Sequence, residues 1–154
     1  MGKGEPMGGR IKAARTIVTA CLVAGLLAAC SRPAPEIRLR ERIAAMSQAL
    51  EARHNGDFMD AIAVAFEGPG GMDRAALHNL LRAQTLLNPG IGVTISPLDI
   101  ELRGDRATVR FTAMLRGGRS RVLPERIQAY AVTTGWQDEQ GQWRLYYAEW
   151  KPRL

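Results

Sequence analysis

Residues 98–111, LDIELRGDRATVRF, decide the fold class. Apolar and polar side chains alternate on both sides of Arg103-Gly104-Asp105-Arg106, a tight-turn sequence. Folding the stretch back on itself sets Leu102 opposite Ala107, Ile100 opposite Val109 and Leu98 opposite Phe111, all on one face. The other face pairs Asp99 with Arg110 and Glu101 with Thr108. An antiparallel sheet with one dry and one wet side requires this alternation.

The same period of two extends outward. Val93 to Leu102 alternates with a break at Pro97, and Ala113 and Leu115 continue the second strand. A basic loop, Arg116 to Glu125, leads to a long strand ending near Trp136. Asp138-Glu139-Gln140-Gly141 then turns the chain into a last strand, Trp143 to Trp150. The simplest register pairs Trp136 with Trp143, Thr134 with Leu145, Val132 with Tyr147 and Tyr130 with Glu149. Ile127, Ala129, Ala131, Tyr146 and Trp150 then fall on the outer face.

Before residue 90 the period changes to that of helices. Leu39, Ile43, Met46 and Leu50 share one stripe of a helix expected over 36–53 and ended by Asn55-Gly56. Asp57 reads as the N-cap of a short second helix whose Phe58, Ile62, Ala65 and Phe66 face inward. Asp73 caps a third helix running to about Leu87, with Leu77, Leu80, Leu81 and Gln84 on one side. The expected class is α+β, with three N-terminal helices packed on a curved antiparallel sheet.

Ahead of this domain lies a different composition. Lys3, Arg10, Lys12 and Arg15 precede the 14-residue apolar run TIVTACLVAGLLAA, residues 16–29, and small residues lead into Cys30. A basic start, a short apolar run and a small-residue junction mark a secretory signal peptide. The run falls short of the roughly 20 apolar residues that a membrane span needs. The full chain is formally +6, but the first 29 residues hold +3 of it. A remainder at +3 without interleaved basic and aromatic residues argues against nucleic acid as a partner. Both cysteines, Cys21 and Cys30, lie in the N-terminal segment, so the domain after residue 35 has no thiol for a disulfide or zinc site.

Leu27-Ala28-Ala29-Cys30 resembles the lipobox of bacterial lipoproteins. That resemblance implies cleavage before Cys30, lipid on its sulfur and amine, and an outer-membrane anchor facing the periplasm, because Ser31 rather than aspartate follows. Val18-Thr19-Ala20-Cys21 fits the pattern too, but too few apolar residues precede it. The expected organisation is a signal peptide over 1–29, a lipidated tether over 30–35 and one domain over 36–154.

Helices followed by a long curled meander, closed by Gly141-Gln142-Trp143-Arg144-Leu145-Tyr146-Tyr147-Ala148-Glu149-Trp150, resemble the nuclear-transport-factor-2-like (SnoaL-like, cystatin-like) domains over residues 36–152. Their closing strand reads G-x-W-R-I-x-x-x-x-W. The resemblance implies a cone, open at one end, and a pocket lined by residues two and four past Leu145, which are Tyr147 and Glu149. With Tyr130, Thr134 and Trp136 on the same face, these five are the candidate pocket. A carboxylate beside a phenol could transfer a proton if burial raised its pKa; a solvated Glu149 at the rim, with packing tyrosines, is the plainer alternative.

No other residue set carries chemistry. His54 and His78 sit beside helix ends or on a helix with no carboxylate cluster, so no metal is expected. Gly68-Pro69-Gly70-Gly71 lacks the strand and lysine of a phosphate loop. Arg116, Arg119, Arg121 and Arg126 form either a solvated basic face or a contact for lipid headgroups. Neither a catalytic residue nor a cofactor is expected. The expected function is an anchored lipoprotein binding a small molecule or an envelope protein. The alternatives are an isomerase or lyase using Glu149 and Tyr130, and an assembly role or homodimer through the outer sheet face.

Overall fold

A computed structural model describes residues 33–87, 92–117 and 126–153. The expected signal peptide, Cys30, Arg119 and Arg121 lie outside the described residues. Helix α1 spans Pro35–Glu51, with proline at its first position, where the missing N–H leaves nothing unpaired. Its buried stripe is Leu39, Ile43, Met46 and Ala49. Arg53 takes φ 61° just past its end, and the His54 N–H returns to the Ala49 carbonyl, so the helix is closed before Asn55-Gly56. Those two residues instead begin α2, Asn55–Met59, placing Asp57 in its first turn and His54 at its N-cap.

The second helix is shorter than expected. The chain leaves it at Asp60 and runs as strand β1, Ile62–Glu67, so Ile62, Ala65 and Phe66 are strand residues. Two arginines hold this junction. Arg42 donates to the Asp60 carbonyl, and Arg74 to the carbonyls of Met59 and Ile62. The β-branched and aromatic run Ile62-Ala63-Val64-Ala65-Phe66 suits a strand that a neighbouring sheet can pair, and the tertiary partner decides it. A 3-10 turn at Pro69–Gly71 precedes α3, Arg74–Leu87, whose N-cap Asp73 accepts from the Ala76 N–H at 2.7 Å.

The remaining strands are β2 (Gly92–Ile95), β3 (Asp99–Arg103), β4 (Arg106–Gly117), β5 (Arg126–Glu139) and β6 (Gln142–Arg153). They order as β1-β6-β5-β4-β2, with β3 also on β4; β1 runs parallel to β6 and the other pairings are antiparallel. The β3–β4 ladder has the expected register, from Arg103↔Arg106 through Leu102↔Ala107 and Ile100↔Val109 to Asp99↔Arg110. It ends there, one step short of the Leu98–Phe111 pair. Ser96 and Pro97 interrupt the edge, and the Ser96 hydroxyl accepts from the Thr112 N–H at 2.9 Å.

The β5–β6 register differs from the simplest one. Trp143 lies opposite Asp138, and Leu145 opposite Trp136; the next pair is Gly135 with Tyr147, leaving Tyr146 as an extra residue. This bulge exchanges faces for all that follows, because side chains alternate with period two. Trp143 and Leu145 point inward on one side of it, and Ala148 and Trp150 on the other. Val132 pairs with Trp150 rather than Tyr147, and Tyr130 with Pro152 rather than Glu149.

The core gathers between the inner sheet face and the helices, around Leu39, Ile43, Phe66, Val109, Trp136, Trp143 and Leu145. Its tightest end lies beside the β5–β6 turn. There the Trp143 indole donates to the Pro35 carbonyl at 3.0 Å, while Arg38 reaches the Gly141 carbonyl and Asp138. Glycine in left-handed backbone makes both hairpin turns: Gly104 at φ 63°, and Gly141 at φ 89° after Gln140 at φ 55°.

Candidate functional site

Away from that tight end, the sheet and helices do not meet completely. The inner faces of β4 and β6 carry Ala113 and Ala148, whose short side chains leave room. A cavity of about 190 Å³ results. Ile43, Met46 and Leu50 of α1 form one wall, and Phe111, Val132, Trp136, Leu145 and Trp150 the other; Phe58, Phe66 and Leu77 close its flank. Ile43 and Trp136 are buried, whereas Leu50, Val93 and Leu115 are partly exposed, so the space opens toward the far end of the strands.

Among the described residues, the only hydroxyl-bearing side chains on its wall are Ser47 and Thr134. Both hydroxyls are engaged within the wall. Thr134 donates to the Val109 carbonyl at 3.2 Å and accepts from the Trp136 indole at 2.8 Å, and Ser47 donates to the Ile43 carbonyl. No ionisable side chain lines the cavity among the described residues. The lining therefore suits an uncharged apolar guest, held by area removed from water rather than by directed hydrogen bonds.

The five candidate pocket residues separate. Thr134 and Trp136 line the cavity. Tyr130 shares the inner face, opposite Ala113, but lies beyond the cavity lining, and its hydroxyl donates to Gln128. Tyr147 and Glu149 stand on the outer face, as the bulge requires. Glu149 pairs with Lys151 at 3.0 Å and raises the pKa of that ammonium through its hydrogen bond and charge. The carboxylate and the phenols therefore do not converge on the cavity. Trp150, expected outside, is inside and lines it.

Sequence reasoning placed one lining residue, Trp150 on β6, outside, and it did not single out Ala148 on β6 or Ser47 on α1. The signal for the first two was Gly135. A glycine inside a strand marks a bulge or a close approach. Here a Cβ would sit 2.8 Å from Cζ of Tyr146, whose ring lies over the glycine with the Arg106 guanidinium 5.7 Å from its centre.

The outer face is a charge mosaic. Arg103 bonds Glu101, and these contacts hold that carboxyl below its usual range; Arg110 lies between Asp99 and Glu101, and Arg153 donates to Thr112. A second, polar cleft is lined by Arg42, His54, Asp57 and Asp60. Burial and the nearby Arg144 lower the Arg42 pKa. Among the described residues no group of three or more His, Cys, Asp or Glu could hold a metal ion, and no helix is long and apolar enough to cross a membrane.

No family model and no curated protein matches the chain. Solved structures do. A Novosphingobium aromaticivorans protein provisionally named a scytalone dehydratase superposes with a TM-score of 0.70 at 17% identity, over 77% of this chain and 85% of its own. A Streptomyces avermitilis protein of the nuclear-transport-factor-2-like family, provisionally named a dehydratase, gives 0.68 at 15% identity, over 79% and 99%. The fold is nuclear-transport-factor-2-like. Bd1075 of Bdellovibrio bacteriovorus shares it, with a TM-score of 0.67 at 15% identity over 75% of this chain, which spans only 40% of that longer one. In this nuclear-transport-factor-2-like cone, the cavity occupies the space between the helices and the curled sheet.

Proposed function

We propose that this chain is a lipid-anchored lipoprotein of the bacterial envelope whose domain binds a small, uncharged, apolar molecule in the cone. The observation that carries the binding reading is the wall itself: aromatic and aliphatic side chains, with every hydroxyl already bonded within the protein. Size narrows the guest. A cavity of about 150 Å³ lined by apolar residues takes up benzene, so about 190 Å³ suits a single ring or a short acyl chain. The anchoring part rests on Leu27-Ala28-Ala29-Cys30 and the apolar run before it.

An isomerase or lyase working through Glu149 and Tyr130 has less support. Proton transfer needs the acid and base within reach of the same bound atom, and Glu149 is turned to the outer face and engaged by Lys151. The two solved relatives provisionally named as dehydratases keep that class as the second reading, with the chemistry then requiring groups other than these two.

Titration with a single-ring apolar probe, iodobenzene, followed through the heavy-atom quenching of tryptophan emission, tests the reading. Saturable binding is expected, together with quenching of tryptophan emission from Trp136 and Trp150. Ala113→Phe, which fills the cavity from β4, should weaken binding at least tenfold while keeping the circular dichroism of the parent. Unchanged affinity in that folded variant would place the probe elsewhere and defeat the reading.

A further inference from the structure

The two ends of the cone differ, and the start of the domain lies at only one of them. The Pro35 carbonyl accepts from Trp143, and Arg38 in the next turn bonds Gly141 and Asp138, so the start of α1 is fastened to the β5–β6 turn. The β3–β4 turn lies at the same end, because Arg106 pairs with Gln137 and Asp138 donates to the Asp105 carbonyl. The cavity lies away from it. From Pro35 to Leu50 the helix rises about 22 Å, and from Arg106 to Leu115 strand β4 runs about 30 Å.

Resting on the anchoring of Cys30 proposed above, covalent geometry sets a limit. Four residues, or five Cα–Cα steps, separate Cys30 from Pro35, and a fully extended chain spans at most about 18 Å over those steps. The start of α1, to which the β5–β6 turn is fastened, therefore stays within about 18 Å of the lipidated residue, and the bilayer carrying the lipid is the partner this end meets. We propose that the β3–β4 and β5–β6 turns face the phospholipid headgroups and that the cavity opens away from that membrane. The apolar guest is then exchanged with the aqueous side rather than drawn from the leaflet below.

The chemistry of this end fits a surface held by its tether. Arg38, Arg40, Arg103, Arg106 and Arg144 are balanced by Glu36, Glu101, Asp105, Asp138 and Glu139, so these described residues carry no excess charge for anionic lipid. Ile37, 51% exposed, and Leu102, 38% exposed, are apolar residues of the same end.

The experiment uses the full chain, processed and acylated in a bacterial host, checked by mass spectrometry and reconstituted in phosphatidylcholine–phosphatidylglycerol vesicles carrying a headgroup-linked energy acceptor. With Cys30 blocked by lipid and no other cysteine beyond it, a donor dye is placed at Glu139→Cys or Gln142→Cys near the turns, and at Thr94→Cys or Arg116→Cys near the cavity end. Two positions per end guard against a variant that fails to fold. Transfer at least threefold more efficient from 139 and 142 is expected, and equal or reversed transfer in acylated protein overturns the orientation. Protein lacking residues 1–30, which has neither the lipid nor the apolar run, should give no transfer from any of the four positions. If protein lacking residues 1–30 binds the vesicles as well as the acylated parent, the anchoring reading itself fails, whatever the orientation.

Discussion

Thr134 shows how much one hydroxyl can organise. It is the only residue of the polar or charged types among the buried described residues, and it links the Val109 carbonyl to the Trp136 indole across two strands. Thr134→Val keeps the shape, leaves the buried Trp136 indole N–H unpaired and takes one contact from the Val109 carbonyl, so a loss of about 1–3 kcal/mol is expected in chemical denaturation. Gly135, next to it, is constrained by the Tyr146 ring. Gly135→Ala must push that ring off and break its stack with Arg106, costing about 1 kcal/mol. The cost should largely vanish in a Tyr146→Ala background, and strict additivity in that double-mutant cycle would contradict the packing described.

Among the elements, α3 has the simplest dependence on sequence. Its Asp73 cap was legible from the residue type and position, and Asp73→Ala should cost about 1 kcal/mol of thermal or denaturant stability. The β3–β4 hairpin was equally legible, since a two-residue turn and strict alternation leave one register. Strand β1 was not. Ile62, Ala65 and Phe66 fit a helical stripe as well as a strand, and only pairing with Leu145 and Tyr147 of β6 settles the matter. Strand β6 was half legible. Trp143 and Leu145 point inward as read, but the bulge at Tyr146 turns the remainder over. That single residue moved Tyr147 and Glu149 out of the candidate site and brought Ala148 and Trp150 into it.

At the scale of the molecule, the ionisable groups and the cavity are separate. Among the described residues, the carboxylate and ammonium titrations with a clear cause lie on the outer face, and the Arg42 guanidinium lies in the polar cleft. The pKa of Glu101 is lowered by Arg103, so its small stabilisation is present at neutral pH and fades as pH falls through the depressed value. The pKa of Lys151 is raised by Glu149, so its contribution holds at neutral pH and fades as pH rises through the elevated value. Both pairs are solvent-screened and weak. Affinity for a neutral apolar probe should therefore stay within about twofold between about pH 6 and pH 9. A bell-shaped dependence would mean that an ionisable group reaches the guest, which is what the enzymatic reading requires.

The amino-acid sequence alone determined the α+β class, the helical stripe of α1, the cap of α3, the β3–β4 register and the expectation of a lipidated Cys30. Each rests on local spacing, which neighbours along the chain impose. Tertiary structure decided the strand identity of residues 62–67, the bulge at Tyr146 and the residues that face the cavity. These depend on which strand lies alongside and on how a ring packs over a glycine. With a period of two, one extra residue is enough to exchange the inside of a strand for its outside.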